Sequence, residues 1–167
     1  MRLKILKSTL LLALCILISG CGLVFAKVRF GCLPEGSAID TPNGPVLIED
    51  IQTGDQVIGY HGHAVTVQQV HQYREDVAET RHLAVTFDKG STIQLSPRHR
   101  IAGIPAGKLK PGDRVGEHTV SEVKSIGAVE RSYDLLTDDP GYRIEGISVN
   151  SMIREMAKAA YPAPSPH

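Results

Sequence analysis

The sequence predicts an all-β domain, because short alternating segments separated by turn residues follow one another over most of the chain. Apolar and polar residues alternate within the segments, as they do in strands that bury one face. Gly, Pro, Asn and Asp cluster between the segments, and these residues accept the backbone angles of tight turns. The predicted strands are 46–51, 56–60, 64–72, 81–87, 91–95, 114–115, 118–126, 129–136 and 142–149.

An internal repeat supports this fold class and divides the domain into two halves. Residues 51–57 and 109–115 share the form apolar-x-x-Gly-Asp-x-Val. The repeat predicts two related β units. The alternative is that Gly-Asp before a strand is a common turn and carries no relationship between the halves.

A short helix is predicted to follow the strands. Met152, Ile153 and Met156 fall at helical spacing, with good helix formers between them, so the helix is placed at 151–160. Prolines at 162, 164 and 166 then predict an extended end.

The N-terminal segment 1–26 has the layout of a secretory signal. Arg2, Lys4 and Lys7 precede an apolar run over 10–18, which small residues follow. The run is much shorter than the roughly 20 residues that cross a bilayer as a helix. We therefore expect an exported protein, with 27–31 as a linker before the domain.

Two cleavage sites overlap in this signal. Residues 18–21, Ile-Ser-Gly-Cys, resemble a bacterial lipobox in which Cys21 is lipidated, whereas 24–26 fit ordinary signal cleavage. The lipobox predicts a lipoprotein of the bacterial cell envelope, attached to the membrane through the lipid, and ordinary cleavage predicts a secreted protein. A third possibility is that Cys21, like Cys15, is only a small apolar residue of the export segment.

Composition restricts the classes of partner and leaves one cysteine for chemistry. Lys plus Arg and Asp plus Glu balance at 18 each, without a basic cluster, so nucleic acid is not an expected partner.

Once the signal is processed, Cys32 is the remaining free thiol and no internal disulfide can form, which favours a reactive role. His61 and His63 are interpreted as a hairpin tip, since no metal-ligand set accompanies them, and no metal or cofactor is expected.

Residues around Cys32 carry a family resemblance that continues along the chain to Asn150. The stretch from Gly31 through 32–37 and 39–51 looks like the opening block of the Hedgehog/intein (Hint) family. Later segments resemble further blocks of that family in the expected order, namely 95–99, 109–115, 133–135 and 146–150. The resemblance implies a horseshoe-like Hint fold with pseudo-two-fold symmetry over 32–150, followed by the short helix and tail 151–167.

The family resemblance also implies self-processing, in which the protein's own N-terminal segment is the substrate. Cys32 is then the nucleophile that attacks the Gly31-Cys32 peptide bond and converts it to a thioester. By the same resemblance His99 protonates the departing nitrogen, Ser96 holds the carbonyl or the histidine, and Asp134 assists proton transfer. An amide resists attack because resonance holds it planar, so a nucleophile, a proton donor and an orienting group are needed together.

The closing block departs from the pattern of splicing members. Those proteins end in His-Asn, whereas Val149 precedes Asn150 here, and Pro140 stands near another position where many inteins carry histidine. Asn150 and Ser151 retain the groups for asparagine cyclisation and residual splicing. The plainer interpretation is that they cap the helix.

The leading functional prediction is single-turnover, cysteine-dependent N-terminal self-cleavage, completed by water, a thiol or another external nucleophile. The alternative is an envelope lipoprotein that keeps a Hint-like fold as a binding or structural module without cleavage; taken alone, Cys32 is interpreted as a buried small residue. A turnover cysteine hydrolase is disfavoured, because the sequence has no nucleophile-elbow motif.

Overall fold

The computed structural model describes residues 32–75 and 81–160 of the chain. The predicted signal with Cys21, the linker with Gly31, and the end of the chain from 161 lie outside these residues. Within the described part, no helix is both long and apolar enough to cross a membrane.

The described chain is built from short strands and one C-terminal helix. The elements are β1 (Leu33–Pro34), β2 (Ala38–Ile39), β3 (Val46–Leu47), β4 (Gln56–Ile58), β5 (Ala64–Arg74), β6 (His82–Phe87), β7 (Thr92–Leu95), β8 (Arg100–Ile101), β9 (Ile104–Pro105), β10 (Arg114–Val115), β11 (His118–Gly127), β12 (Arg131–Thr137), β13 (Gly141–Ile144), β14 (Ile147–Asn150) and α1 (Met152–Ala160). Three four-stranded sheets have the orders β1-β12-β5-β4, β10-β11-β6-β7 and β13-β14-β8-β9, and β2 pairs with β3. This is the predicted all-β architecture with its short C-terminal helix.

Two predicted strands differ from the structure. Only Val46–Leu47 of the segment 46–51 is a strand, and Ile48–Asp50 form a 3-10 turn that buries Ile48. The segment 142–149 is a hairpin, with Glu145 at φ 50° and Gly146 at φ 79° in its turn. Two successive residues with positive φ are typical of the tight turns whose twist matches that of the flanking strands. Because apolar residues lie on both sides of this turn, the sequence reads as one continuous strand.

The internal repeat corresponds to two equivalent substructures. Gly54 and Gly112, at φ 99° and 94°, each donate a backbone hydrogen bond of 2.8 Å to the long strand that follows. Asp55 and Asp113 each accept, through Oδ2, a 2.8 Å bond from the backbone N–H three residues earlier. Because the bonds to the following strands also repeat, the pseudo-two-fold relationship extends beyond a shared local turn.

The buried apolar side chains of both halves form one cluster. Val57 and Leu135 contribute from one sheet, Val85 and Leu95 from another, and all four are inaccessible to solvent. Burial of apolar surface is the main favourable term in folding, so a common cluster ties the halves into one folding unit. That unit holds β1, and Cys32 immediately before it, against β12.

Candidate functional site

Cys32 is fully buried at the start of the domain and lies beside β12. Pro34 pairs with Ser132 in the antiparallel β1–β12 ladder. The same register, extended by two residues towards the N-terminus, places Cys32 opposite Asp134. The effect of the Asp134 charge on the pKa of the Cys32 thiol is consistent with this placement.

Strands β12 and β5 bring further polar side chains to the same place. Side chains alternate along a strand, so Ser132 and Asp134 share one face of β12. Tyr73 lies opposite Ser132 on the neighbouring β5, and Glu75 follows two residues later. Cys32, Ser132, Asp134, Tyr73 and Glu75 therefore form one polar group, here termed the Cys32 cluster.

Ser132 connects the thiol to a carboxylate. Its side chain is completely buried, its hydroxyl donates to Oε1 of Glu75, and it lies near enough to the Cys32 sulfur to lower the pKa of the thiol. Neither Ser132 nor Glu75 is among the site residues predicted from the sequence. Nothing in the sequence distinguishes Ser132 from an ordinary strand serine, because its burial appears only in the fold.

Asp134 is fully buried and accepts several hydrogen bonds. Its Oδ1 accepts from the Leu135 N–H at 2.9 Å and the Tyr142 hydroxyl at 2.8 Å, and its Oδ2 accepts from the Ile153 N–H at 2.9 Å. Burial raises the pKa of Asp134 to about 7, although these donors and the Met152 N–H lower it in part. Asp134 is thus poised to gain or lose a proton near neutral pH.

Burial keeps the Cys32 thiol protonated. Desolvation is the largest cause of its strongly raised pKa, and the Asp134 carboxylate raises the pKa further. The hydrogen bond with Ser132 lowers the pKa, whereas the nearby Glu75 charge raises it. A thiolate is the reactive form of cysteine, so Cys32 needs a local proton acceptor before it attacks a carbonyl.

Ser96 and His99 lie on the other side of Cys32. The Ser96 N–H donates to the Cys32 carbonyl at 3.0 Å, and the His99 N–H donates to the Ser96 carbonyl at 3.1 Å. Both side chains are buried. The Ser96 hydroxyl has no hydrogen-bond partner among the described residues. The structure therefore packs the 96–99 turn directly against the Cys32 backbone.

His82 is a second buried histidine near Cys32, and it is not among the predicted site residues. Its ring nitrogens form no hydrogen bond of good geometry with the described residues. Burial lowers the pKa of His82, while the nearby Glu75 charge and the Cys32 backbone raise it. A histidine inside a strand gives no sequence signal that separates this placement from an ordinary core position.

Asn150 and Ser151 make contacts of a different kind. The Asn150 Oδ1 accepts from the Gly103 N–H at 2.9 Å. The Ser151 Oγ accepts from the Arg154 N–H at 3.3 Å, so Ser151 caps α1 as the plainer interpretation predicts, whereas the Asn150 side chain binds the turn at Gly103 and does not cap the helix as predicted. In the described contacts the Asn150 side chain has no bond to the Cys32 cluster.

The histidines of the predicted hairpin tip interact with an acidic side chain. His61 Nδ1 lies 2.6 Å from Oδ1 of Asp139, and the His61 N–H donates to the same carboxylate. Among the described residues, no group of three or more His, Cys, Asp or Glu side chains is arranged to hold a metal ion.

Comparisons with known proteins agree with this architecture. Residues 31–105 match the family model of the Hint domain. The gp41-1 intein is 18% identical, with 74% of this chain and 100% of that chain covered and a TM-score of 0.61. A bacterial intein-like domain from Clostridium thermocellum is 24% identical, with 72% and 97% covered and a TM-score of 0.61. No curated protein matches the sequence. At these identities the structural likeness establishes the fold.

Proposed function

We propose that this chain, which contains a Hint domain with the fold of inteins, cleaves its own peptide bond between Gly31 and Cys32. The observation that carries the proposal is the position of the Cys32 thiol. The thiol is buried and lies near the Ser132 hydroxyl and the Asp134 carboxyl, and the Cys32 backbone carbonyl accepts a hydrogen bond from the Ser96 N–H. A buried, structurally inert cysteine has no need of these polar neighbours.

The chemistry is an acyl shift within the chain. The Cys32 sulfur gives up its proton and attacks the Gly31 carbonyl carbon, the carbon-nitrogen bond breaks, and the Cys32 nitrogen takes a proton from His99. The product is a thioester between Gly31 and the Cys32 sulfur. Nucleophile and target are adjacent in the chain, and placement of this kind is worth effective molarities of about 10⁵ M or more.

Water or an external nucleophile then cleaves the thioester, so each molecule reacts once. The part released is the N-terminal segment, which serves as the protein's own substrate. Where Cys21 carries a lipid, only a short linker separates this anchor from Gly31. Self-cleavage would then free the β domain from the membrane of the cell envelope.

A second candidate is a binding or structural module that keeps the fold and does not cleave. The complete burial and raised pKa of Cys32 favour it, because both oppose formation of the thiolate. This candidate predicts an intact chain under conditions in which the first candidate predicts loss of residues before Cys32.

Intact mass separates the two candidates. The full chain with a C-terminal affinity tag is produced in a bacterial host, purified from membrane and soluble fractions, and incubated with or without a small thiol. Self-cleavage gives a species whose mass begins at Cys32, and added thiol increases its yield because the thiol attacks the thioester.

Cys32→Ala is the matched variant, since it removes the sulfur and adds no bulk. It should keep every residue that the signal peptidase leaves, with or without thiol. A parent protein that keeps the same N-terminal residues as the variant under all conditions would establish the non-cleaving module instead.

A further inference from the structure

We infer that Ser132 and Glu75 form the path by which the Cys32 thiol loses its proton, an inference that rests on the proposed self-cleavage. Ser132 touches the reacting sulfur, and Glu75 acts through Ser132. Neither residue belongs to the segments that carry the family resemblance.

The hydrogen bonds around Ser132 have a defined direction. A hydroxyl has one proton to donate and two lone pairs that accept. Ser132 donates its proton to Oε1 of Glu75, so in the resting state only the lone pairs of its oxygen are open to the Cys32 thiol. The order is thiol to hydroxyl to carboxylate, and Ser132 is wholly buried between the two ends.

The transfer balances in protons and charge. The thiol proton moves to Oγ of Ser132 while the original hydroxyl proton moves to Oε1 of Glu75. A thiolate, a hydroxyl that now donates to it, and a neutral Glu75 result, with one negative charge before and after. The sulfur electron pair is then free to attack the Gly31 carbonyl.

Glu75 suits the role of acceptor better than Asp134. The Asp134 oxygens already accept from Leu135, Tyr142 and Ile153, whereas the Ser132 hydroxyl is directed at Glu75. Glu75 is also half-buried at the end of β5, so it can pass its proton on to water.

Other titratable groups also face the path. Asp134 and Tyr73 lie near the thiol, and burial raises the pKa of Tyr73 to about 12, which keeps it neutral at ordinary pH. His82 lies between the Cys32 backbone and Glu75, and burial lowers its pKa. The cleavage rates of parent and variant are therefore compared at the same pH, over a range of pH values. These other groups are present in both proteins and contribute to both rates.

The test is the rate of N-terminal cleavage of the full chain in Ser132→Ala and Glu75→Gln. Loss of a positioned proton acceptor lowers a rate by about 100-fold. We expect this loss at neutral pH in both variants, with partial recovery as the pH is raised and hydroxide takes the proton. Ser132→Thr, which keeps the hydroxyl, should retain more activity than Ser132→Ala.

The Glu75→Gln variant distinguishes a role of Glu75 in proton transfer from a purely electrostatic role. The Glu75 charge raises the pKa of Cys32, so its removal favours the thiolate. A purely electrostatic role thus predicts faster cleavage, and the path predicts slower cleavage. Glu130→Gln removes an exposed charge opposite Glu75 on the sheet and should cleave at the parent rate. Circular dichroism of each variant identifies any loss of fold.

A second measurement tests the first step of the path, the contact between the thiol and Ser132, even where the parent does not cleave. The infrared difference spectrum between the parent and Cys32→Ser isolates the S–H stretch of Cys32, which a hydrogen bond to oxygen moves to lower frequency. We expect this band to move to higher frequency in Ser132→Ala. Absence of that movement, or Glu75→Gln cleaving as fast as the parent, would overturn the path. An intact parent whose band does move would overturn the proposed function and leave the hydrogen bond established.

Discussion

The two ends of the Hint domain use their polar side chains differently. At the N-terminal end, Ser132 is bonded to Glu75 beside the Cys32 thiol, and the pKa values of Cys32 and Asp134 are raised. At the C-terminal end, Asn150 and Ser151 are bonded to backbone N–H groups of a turn and a helix. Side chains that hold backbone groups are typical of structural caps. The difference fits the proposed role of Cys32 as the reacting group and a supporting role for the other end.

Asp134 links the two ends. It lies near the Cys32 thiol, yet its Oδ2 accepts from Ile153 in the first turn of α1. An anion is stabilised at a helix N-terminus, where N–H groups lack intrahelical partners. The helix therefore takes part in setting the charge of a group beside the proposed nucleophile. Substitutions at each end should distinguish the reactive end from the supporting one.

The largest effect is expected for His99→Ala. His99 is buried in the turn that packs on Cys32, and we propose that it protonates the departing nitrogen. Loss of a general acid lowers the cleavage rate by about 100-fold or more. Time courses of intact mass measure the rate, with His61→Ala at the exposed hairpin tip as control. Cleavage of His99→Ala at the parent rate would assign the proton to another group.

Asp134→Asn should change how stability depends on pH. The folded pKa of Asp134, about 7, lies above the unfolded value of 3.8. Its contribution to the free energy of unfolding is therefore fully present below about pH 4 and is lost as the pH rises through about 7, by at most about 1.4 kcal/mol per pH unit. Urea unfolding of parent and variant at several pH values measures the difference. A gap between them that is constant from about pH 4 to 8 would contradict the raised pKa.

The sequence predicted most of the strands because turn residues and alternation are local signals. It did not separate β13 from β14, since Glu145 gives no warning of its positive φ. The strands β1 and β8 have two residues each and depend on long-range pairing with β12 and with β14, so no alternating pattern indicates them.

Part of the candidate site could be predicted from the sequence, for a similar reason. Cys32 and Ser96 stand in recognisable motifs, and the structure places them in contact. Ser132, Glu75 and His82 reach the site through the pairing of β12 with β5 and through the start of β6. Pairing register is a property of the folded sheet, so their proximity to Cys32 cannot be derived from spacing along the chain.

A moderate effect on stability is expected for Ser151→Ala. Removing an N-cap hydroxyl costs about 1 kcal/mol. The loosened first turn should also weaken the N–H donors to Asp134 and so raise its pKa further. Thermal unfolding gives the stability, with the exposed Ser125→Ala as control. An unchanged melting temperature would show that α1 does not depend on this cap.

The smallest effect is expected for Asn150→Ala. This variant most directly tests the difference between the two ends of the domain. The variant loses one hydrogen bond to Gly103, which is worth about 1 kcal/mol at most at a partly exposed site. N-terminal cleavage should proceed at the parent rate, because the Asn150 side chain is bonded away from the Cys32 cluster. Intact mass over time measures this rate and also detects any product that ends at residue 150. Such a product in the parent and its absence in Asn150→Ala would show that the C-terminal end reacts as well, and the division between a reactive and a supporting end would fail.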